Sequence, residues 1–126
     1  MSISTKNAAN VAVVYNPYRI EGNRAIYIGA AHSDLIKDQI ILTSASPKQT
    51  PTSYGNRRTS LNVVNTISVD TPQASAVGRD MKLEALASVP TGATLGEFKE
   101  LAARLAFLLQ QDDFVQSLYM TGQIDH

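Results

Sequence analysis

The hydrophobic period of this chain changes once, at Thr94, and that change limits the folds open to it. Thr94-x-x-Glu97 forms a capping box: the Thr hydroxyl accepts from the third backbone N–H of a helix while the Glu carboxylate reaches back to the cap N–H. A helix is therefore expected from Leu95. Phe98, Leu101, Ala102, Leu105, Leu108 and Leu109 recur at three- and four-residue steps, which makes it amphipathic to about Gln110. The polar run Gln110-Gln111-Asp112-Asp113 interrupts it. A shorter helix over Asp113–Met120 offers Phe114, Val115, Leu118 and Tyr119, with Gly122 suited to the left-handed position beyond its end.

Upstream of Thr94 the period is two. Val11–Tyr15 is a β-branched run closed by Asn16-Pro17, and Ala25–Gly29 follows the turn-like Glu21-Gly22-Asn23. Gln39–Ser46, Arg58–Val64 and Asp80–Leu86 complete five predicted strands, whose spacing suggests an antiparallel meander. Loops rich in Pro, Ser and Thr separate them at Pro47–Asn56 and Asp70–Val77. Successive side chains of a strand point to opposite faces. Leu61 and Val63 thus oppose Ser60 and Asn62, while Met81, Leu83 and Ala85 oppose Asp80, Lys82 and Glu84. One sheet face should be covered and the other left for polar work.

The two helices carry eight large apolar groups: Phe98, Leu101, Leu105, Leu108, Leu109, Phe114, Leu118 and Tyr119. Each contributes ~1.5–3 kcal/mol only when buried. A sheet of five short strands offers one narrow face against them, so an obligate dimer is expected, with the partner covering the rest. The chain has 126 residues, enough for a single domain, with 1–90 forming the sheet and 94–121 the helical part. It has no Cys, so disulfides and thiolate metal sites are excluded and assembly must rely on packing. No apolar run reaches the ~20 residues that cross a bilayer, and no signal-peptide pattern follows Met1–Lys6, which reads as soluble and unexported, without a membrane partner.

Net charge is zero, but unevenly distributed. Met1–Val63 has seven Lys/Arg against three Asp/Glu, while Val64–His126 has four against eight. Enzyme chemistry finds little to work with. His32 and His126 lack metal-ligand spacing, and Asp112-Asp113, Glu97/Glu100 and Asp80/Glu84 read as a helix-terminal turn, a solvated helix face and polar strand positions. No phosphate-binding glycine loop or nucleophile elbow is present. No catalytic residue, metal or cofactor is expected. Basic groups are more coherent: Lys48 leaves the third predicted strand, Arg57-Arg58 enters the fourth and Lys82 lies on the fifth, near Ser44, Ser46, Ser60 and Asn62. Such a surface can neutralise phosphates and hydrogen-bond base edges, or simply be solvated.

Three segments resemble the coat proteins of single-stranded RNA bacteriophages, the levivirus group, in their Q-beta-like branch. They are Asn16-Pro17 with Gly22–Ile28; Asp38–Pro47 followed by Asn56-Arg57-Arg58; and Asp80–Leu83 through Leu95–Leu109 and Phe114–Asp125. The likeness covers nearly the whole chain and is weakest over Met1–Ala9. It implies an α+β fold with an N-terminal β-hairpin, a five-stranded antiparallel sheet and two C-terminal helices, in an intertwined dimer with a ten-stranded sheet. Phe98, Leu101, Leu105, Leu108, Leu109, Phe114 and Leu118 would form the dimer interface.

The same resemblance implies that dimers tile a T=3 icosahedral capsid, assembled in the bacterial host cytoplasm. The virion would enclose genomic RNA and hold a maturation protein. It further implies binding of an operator hairpin that represses translation and marks the RNA for packaging. Ser44, Ser46, Ser60, Asn62, Asp80 and Lys82 match the RNA-facing positions, with Lys48 and Arg58 as phosphate contacts. Asn62 replaces a pocket lysine, and Gly78-Arg79 stands where relatives have a base-stacking tyrosine, a role open to the Arg79 guanidinium. Asp70, Thr71, Pro72, Gln73, Ala74 and Ser75 match the loop that meets its copies around symmetry axes; without Cys, those contacts are noncovalent. The alternative reading of the chain is a non-viral dimeric α+β module that binds nucleic acid.

Overall fold

Ten residues of continuous strand run straight through Asn16-Pro17, where the sequence had suggested a stop. The computed structural model describes residues 2–125, which form two compact units meeting in sequence at Pro90 and Thr91. The first is a six-stranded antiparallel sheet in sequence order: β1 (Ile3–Lys6), β2 (Ala12–Glu21), β3 (Arg24–Ile28), β4 (Asp38–Ala45), β5 (Asn56–Val69) and β6 (Val77–Pro90). The meander is as expected. The strand count is six rather than five, because β1 joins the sheet through the N-terminal hairpin.

The long β2 explains the difference. Its first part pairs with β1, from Lys6 opposite Ala12 to Ile3 opposite Tyr15, and its second part pairs with β3 from Asn16 opposite Ile28 to Glu21 opposite Arg24. Pro17 falls after the last β1 pair, where β2 has become an edge, and the register shifts between Pro17 and Arg19. Proline has no N–H to give a ladder, so an edge with an irregularity is where a strand tolerates it. Tyr18 is the residue displaced by that shift; its ring lies 6.2 Å from His32 and under Arg19, 5.8 Å from the guanidinium carbon.

Strands β5 and β6, fourteen residues each, extend well past the predicted Arg58–Val64 and Asp80–Leu86 and pair along their whole length, from Asn56 opposite Pro90 to Val69 opposite Val77. Their connection, residues 70–76, is tied by the Asp70 carboxylate, which accepts from the Ala76 N–H at 3.1 Å. The best-buried residues are Tyr15, Ile26, Ile40, Ile41 and Val64. Ile26 lies opposite Ile41, and with Val64 and the half-buried Ile28 they form one cluster. Tyr15 donates its hydroxyl to Asp38 Oδ1 at 2.8 Å, and burial together with the adjacent carboxylate pushes its phenol up to about 12.

The second unit is helical. Helix α1 (Leu95–Gln110) begins where the capping box placed it: Thr94 Oγ1 accepts from the Glu97 N–H at 3.3 Å and Glu97 Oε1 accepts from the Thr94 N–H at 3.1 Å. Helix α2 (Asp112–Val115) is shorter than predicted, because the backbone widens into a π-helical turn over Gln116–Met120. Thr121 N–H reaches back to Gln116 O, and Gly122 follows at φ +74°. No residue of α1 is buried: Phe98, Leu101, Leu105 and Leu108 are 38–64% exposed.

Gly55, at φ +86°, holds the β4–β5 connection in a conformation that side chains oppose, and a Cβ there would overlap the Lys48 backbone. Gly22, at φ +58°, turns β2 into β3 with open space around it. Gly55→Ala is therefore expected to cost about 2 kcal/mol or more and Gly22→Ala about 1, since left-handed backbone costs ~1–2 kcal/mol and overlap adds to it. Urea midpoints of the two variants check this order.

Candidate nucleic-acid interface

Register decides which side chains share a surface. Across β3–β6, Arg24 lies opposite Thr43, Thr43 opposite Ser60 and Ser60 opposite Leu86; the next row is Ile26, Ile41, Asn62 and Glu84. A third row, Ala45, Arg58 and Ser88, continues on the same face, and Lys82 and Asp80 follow Glu84 along β6. The opposite face carries Leu61, Val63, Met81 and Leu83, all 40–56% exposed, as the alternation in β5 and β6 required. The sheet thus has one apolar face and one mixed face.

The mixed face brings together Arg58, Ser60, Asn62, Asp80 and Lys82, five of the nine predicted RNA-facing residues. Ser44 borders the cavity on this face, but its register differs. It pairs with Thr59, and their side chains stand on the other face. The residues beside Ser60 and Arg58 are Thr43 and Ala45, one position earlier along β4 than the sequence reading placed them. Ser46 and Lys48 lie past the end of β4, in the connection to β5. Arg79 pairs with Ile67 and shares the face of Met81, away from Lys82. The cause is visible in Thr43-Ser44-Ala45-Ser46, where small and polar residues follow one another and no alternation marks the inward position.

Three residues that the sequence reading left out complete the surface. Arg24, Thr43 and Glu84 line, with Ile41, Arg58, Ser60, Asn62 and Leu86, an open cavity of about 460 Å³. Thr43 and Ser60 hydroxyls hydrogen-bond each other across the strands. Glu84 lies in a segment predicted as a strand and Arg24 just before one, but only the register brings them to one cavity. Among the described residues no group of acids or histidines has the arrangement to hold a metal ion.

Asp80, by contrast, is engaged. Thr66 donates its hydroxyl to Asp80 Oδ1 at 2.8 Å while accepting from the Lys37 N–H at 2.9 Å, and Lys37 Nζ lies 3.1 Å from Asp80 Oδ2. The Thr66 hydroxyl and the Lys37 ammonium hold the Asp80 carboxyl below its ordinary 3.8. The carboxylate so bound ties the segment before β4 to β5 and β6.

Neither a family model nor a curated protein matches this sequence. Solved structures do. A chain from the virus-like particle of Beihai levi-like virus 32 superposes with a TM-score of 0.76 at 20% identity, over 90% of this chain and 88% of that one. One from the virus-like particle of Wenzhou levi-like virus 4 gives 0.74 at 23%, over 97% and 86%. A third, from the virus-like particle of bacteriophage AVE019, gives 0.74 at 10%, over 99% and 97%.

A carboxyl depressed in the folded state contributes stability in full above its ordinary pKa and loses it as pH falls through the folded value. Asp80→Asn is thus expected to lower the urea midpoint at neutral pH, with the gap to the unmodified chain closing below about pH 4. A gap independent of pH would contradict this role for the carboxylate. The superpositions extend over both the sheet and the helices, and the chain has the fold of the proteins that form virus-like particles of levi-like viruses.

Proposed function

We propose that this chain is the coat protein of a single-stranded RNA bacteriophage, building a shell from dimers around genomic RNA. The observation that carries this is the match in fold over nine-tenths or more of the chain to proteins of virus-like particles. The exposed apolar surface supports it. Leu61, Val63, Met81 and Leu83 on the sheet and Phe98, Leu101, Leu105 and Leu108 on α1 stand 38–64% exposed. Patches of this kind mark interaction sites. A second copy provides both complements at once, an apolar helix for the sheet and an apolar sheet for the helix, which is the reciprocity of a two-fold interface. Leu109, Phe114 and Leu118 join that interface, and the 70–75 loop, from Asp70 to Ser75, serves contacts between dimers.

In this reading the mixed face turns toward RNA, with Arg24, Arg58 and Lys82 neutralising phosphates and the polar row of Ser60 and Asn62 meeting bases. A hairpin bound there would repress translation and select the genome for packaging. The assembled virion, formed in the host cytoplasm, would also carry a maturation protein. The helical region from Thr91 has two Lys/Arg against five Asp/Glu, a charge suited to the outer surface of an RNA-filled shell.

Expression of the chain alone is expected to yield RNA-containing particles visible by electron microscopy; soluble dimers under all ionic conditions would favour a non-viral nucleic-acid-binding module instead. Leu105→Asp should abolish dimers and particles together, because a charge would enter the apolar interface. Particles surviving that change would contradict the interface. Arg58→Ala should weaken RNA binding alike across sequences and lower the salt slope by about one phosphate contact. Loss confined to a single hairpin would reassign Arg58 to base readout.

A further inference from the structure

The cavity on the mixed face holds a carboxylate, which repels phosphate and therefore needs a different partner. Glu84 lies 3.9 Å from the Lys82 ammonium, beyond hydrogen-bond distance, so its lone pairs stay available to donors. Asn62 lies directly opposite Glu84, and its buried Oδ1 has no hydrogen-bond partner among the described residues. Thr43 and Ser60 hydroxyls are engaged with each other. Among the described residues the Asn62 Oδ1 thus lacks a donor and Glu84 has only the long Lys82 ion pair, while Arg24 and Arg58, whose guanidiniums carry only donors, line the same cavity.

We propose that this cavity selects an unpaired guanine of the bound RNA. The inference rests on the reading of this face as an RNA surface and adds the identity of the base. Guanine presents two adjacent donors, N1–H and the N2 amine, to the Glu84 carboxylate, with the second amine hydrogen directed to Asn62 Oδ1. A carboxamide torsion is broad, so a small rotation of the Asn62 amide brings that oxygen to the base. The O6 and N7 acceptors of guanine then face an arginine, a pairing that guanidinium geometry favours. Ile41 and Leu86 supply apolar contact to the ring.

The other bases fit less well. Adenine and cytosine each set a ring-nitrogen lone pair beside their amine, which would point at the carboxylate. Uracil has one N–H between two carbonyl oxygens. The discrimination comes from unpaired acceptors left behind by the wrong base, the situation in which polar sites select most strongly.

The test uses the purified, unassembled chain and fluorescent seven-nucleotide RNAs, uridine throughout except at the centre, which is G, A, C, U or inosine. Guanine RNA is expected to bind about tenfold more tightly than the others, inosine included because it lacks the amine. Glu84→Gln should bring the ratio of guanine to uridine affinity to about one. The inosine comparison reads the same contact without any change to the protein. Equal binding of all RNAs, or preference for another base, overturns the guanine assignment while leaving the RNA face in place. Absence of binding to every RNA overturns the RNA face itself.

Discussion

Apolar side chains left facing solvent set the terms for this molecule. In α1 the groups at helical spacing that would normally fill a core are all exposed or half-buried, and on the sheet a row of four large apolar residues is in the same state. At ~1.5–3 kcal/mol for each such side chain removed from water, covering them outweighs most single interactions inside the chain. The surface ion pairs, such as Arg19–Glu21 at 2.8 Å and Glu100–Arg104 at 3.0 Å, contribute at most about 1 kcal/mol each. Under the proposed assembly, fold and association become one problem, in which a second copy completes the sheet and the helices.

The mixed face obeys a different balance. Its small core of Ile26, Ile41 and Val64 anchors the middle strands, and polar side chains occupy the rows around it. Some of these are committed to structure, as Asp80 is to Thr66 and Lys37. Others are held loosely: Glu84 has a long ion pair to Lys82 at 3.9 Å, and the Asn62 Oδ1 has no hydrogen-bond partner among the described residues. That separation divides residues whose polar atoms are committed to holding the surface from residues whose polar atoms are not.

Much of this was legible in the residues. Helix α1 has the predicted limits, because capping box and apolar period agree. The two faces of β5 and β6 follow directly from alternation. Elsewhere the local signal was ambiguous. Asn16-Pro17 reads as a stop, yet an edge with a register shift accommodates it, and β1 had too few apolar residues to be seen without its partner strand. Ser44 pairs with Thr59 rather than Ser60 and Ser46 lies past β4; Thr43-Ser44-Ala45-Ser46, small or polar throughout, carries no alternation that would mark the inward position. Arg24 and Glu84, more than fifty residues apart in sequence, meet in one cavity only through the pairing of four strands. Register is a long-range property, and it is here that the sequence alone is least informative.

The central claim is that the exposed apolar surface of one copy is covered by another and that folding depends on it. Urea denaturation over a hundredfold range of protein concentration tests this directly, because a fold completed by association gains stability with concentration. The account predicts a midpoint that rises with concentration, with sheet and helix signals lost together. A midpoint independent of concentration, with a folded monomer persisting at the lowest, would contradict it.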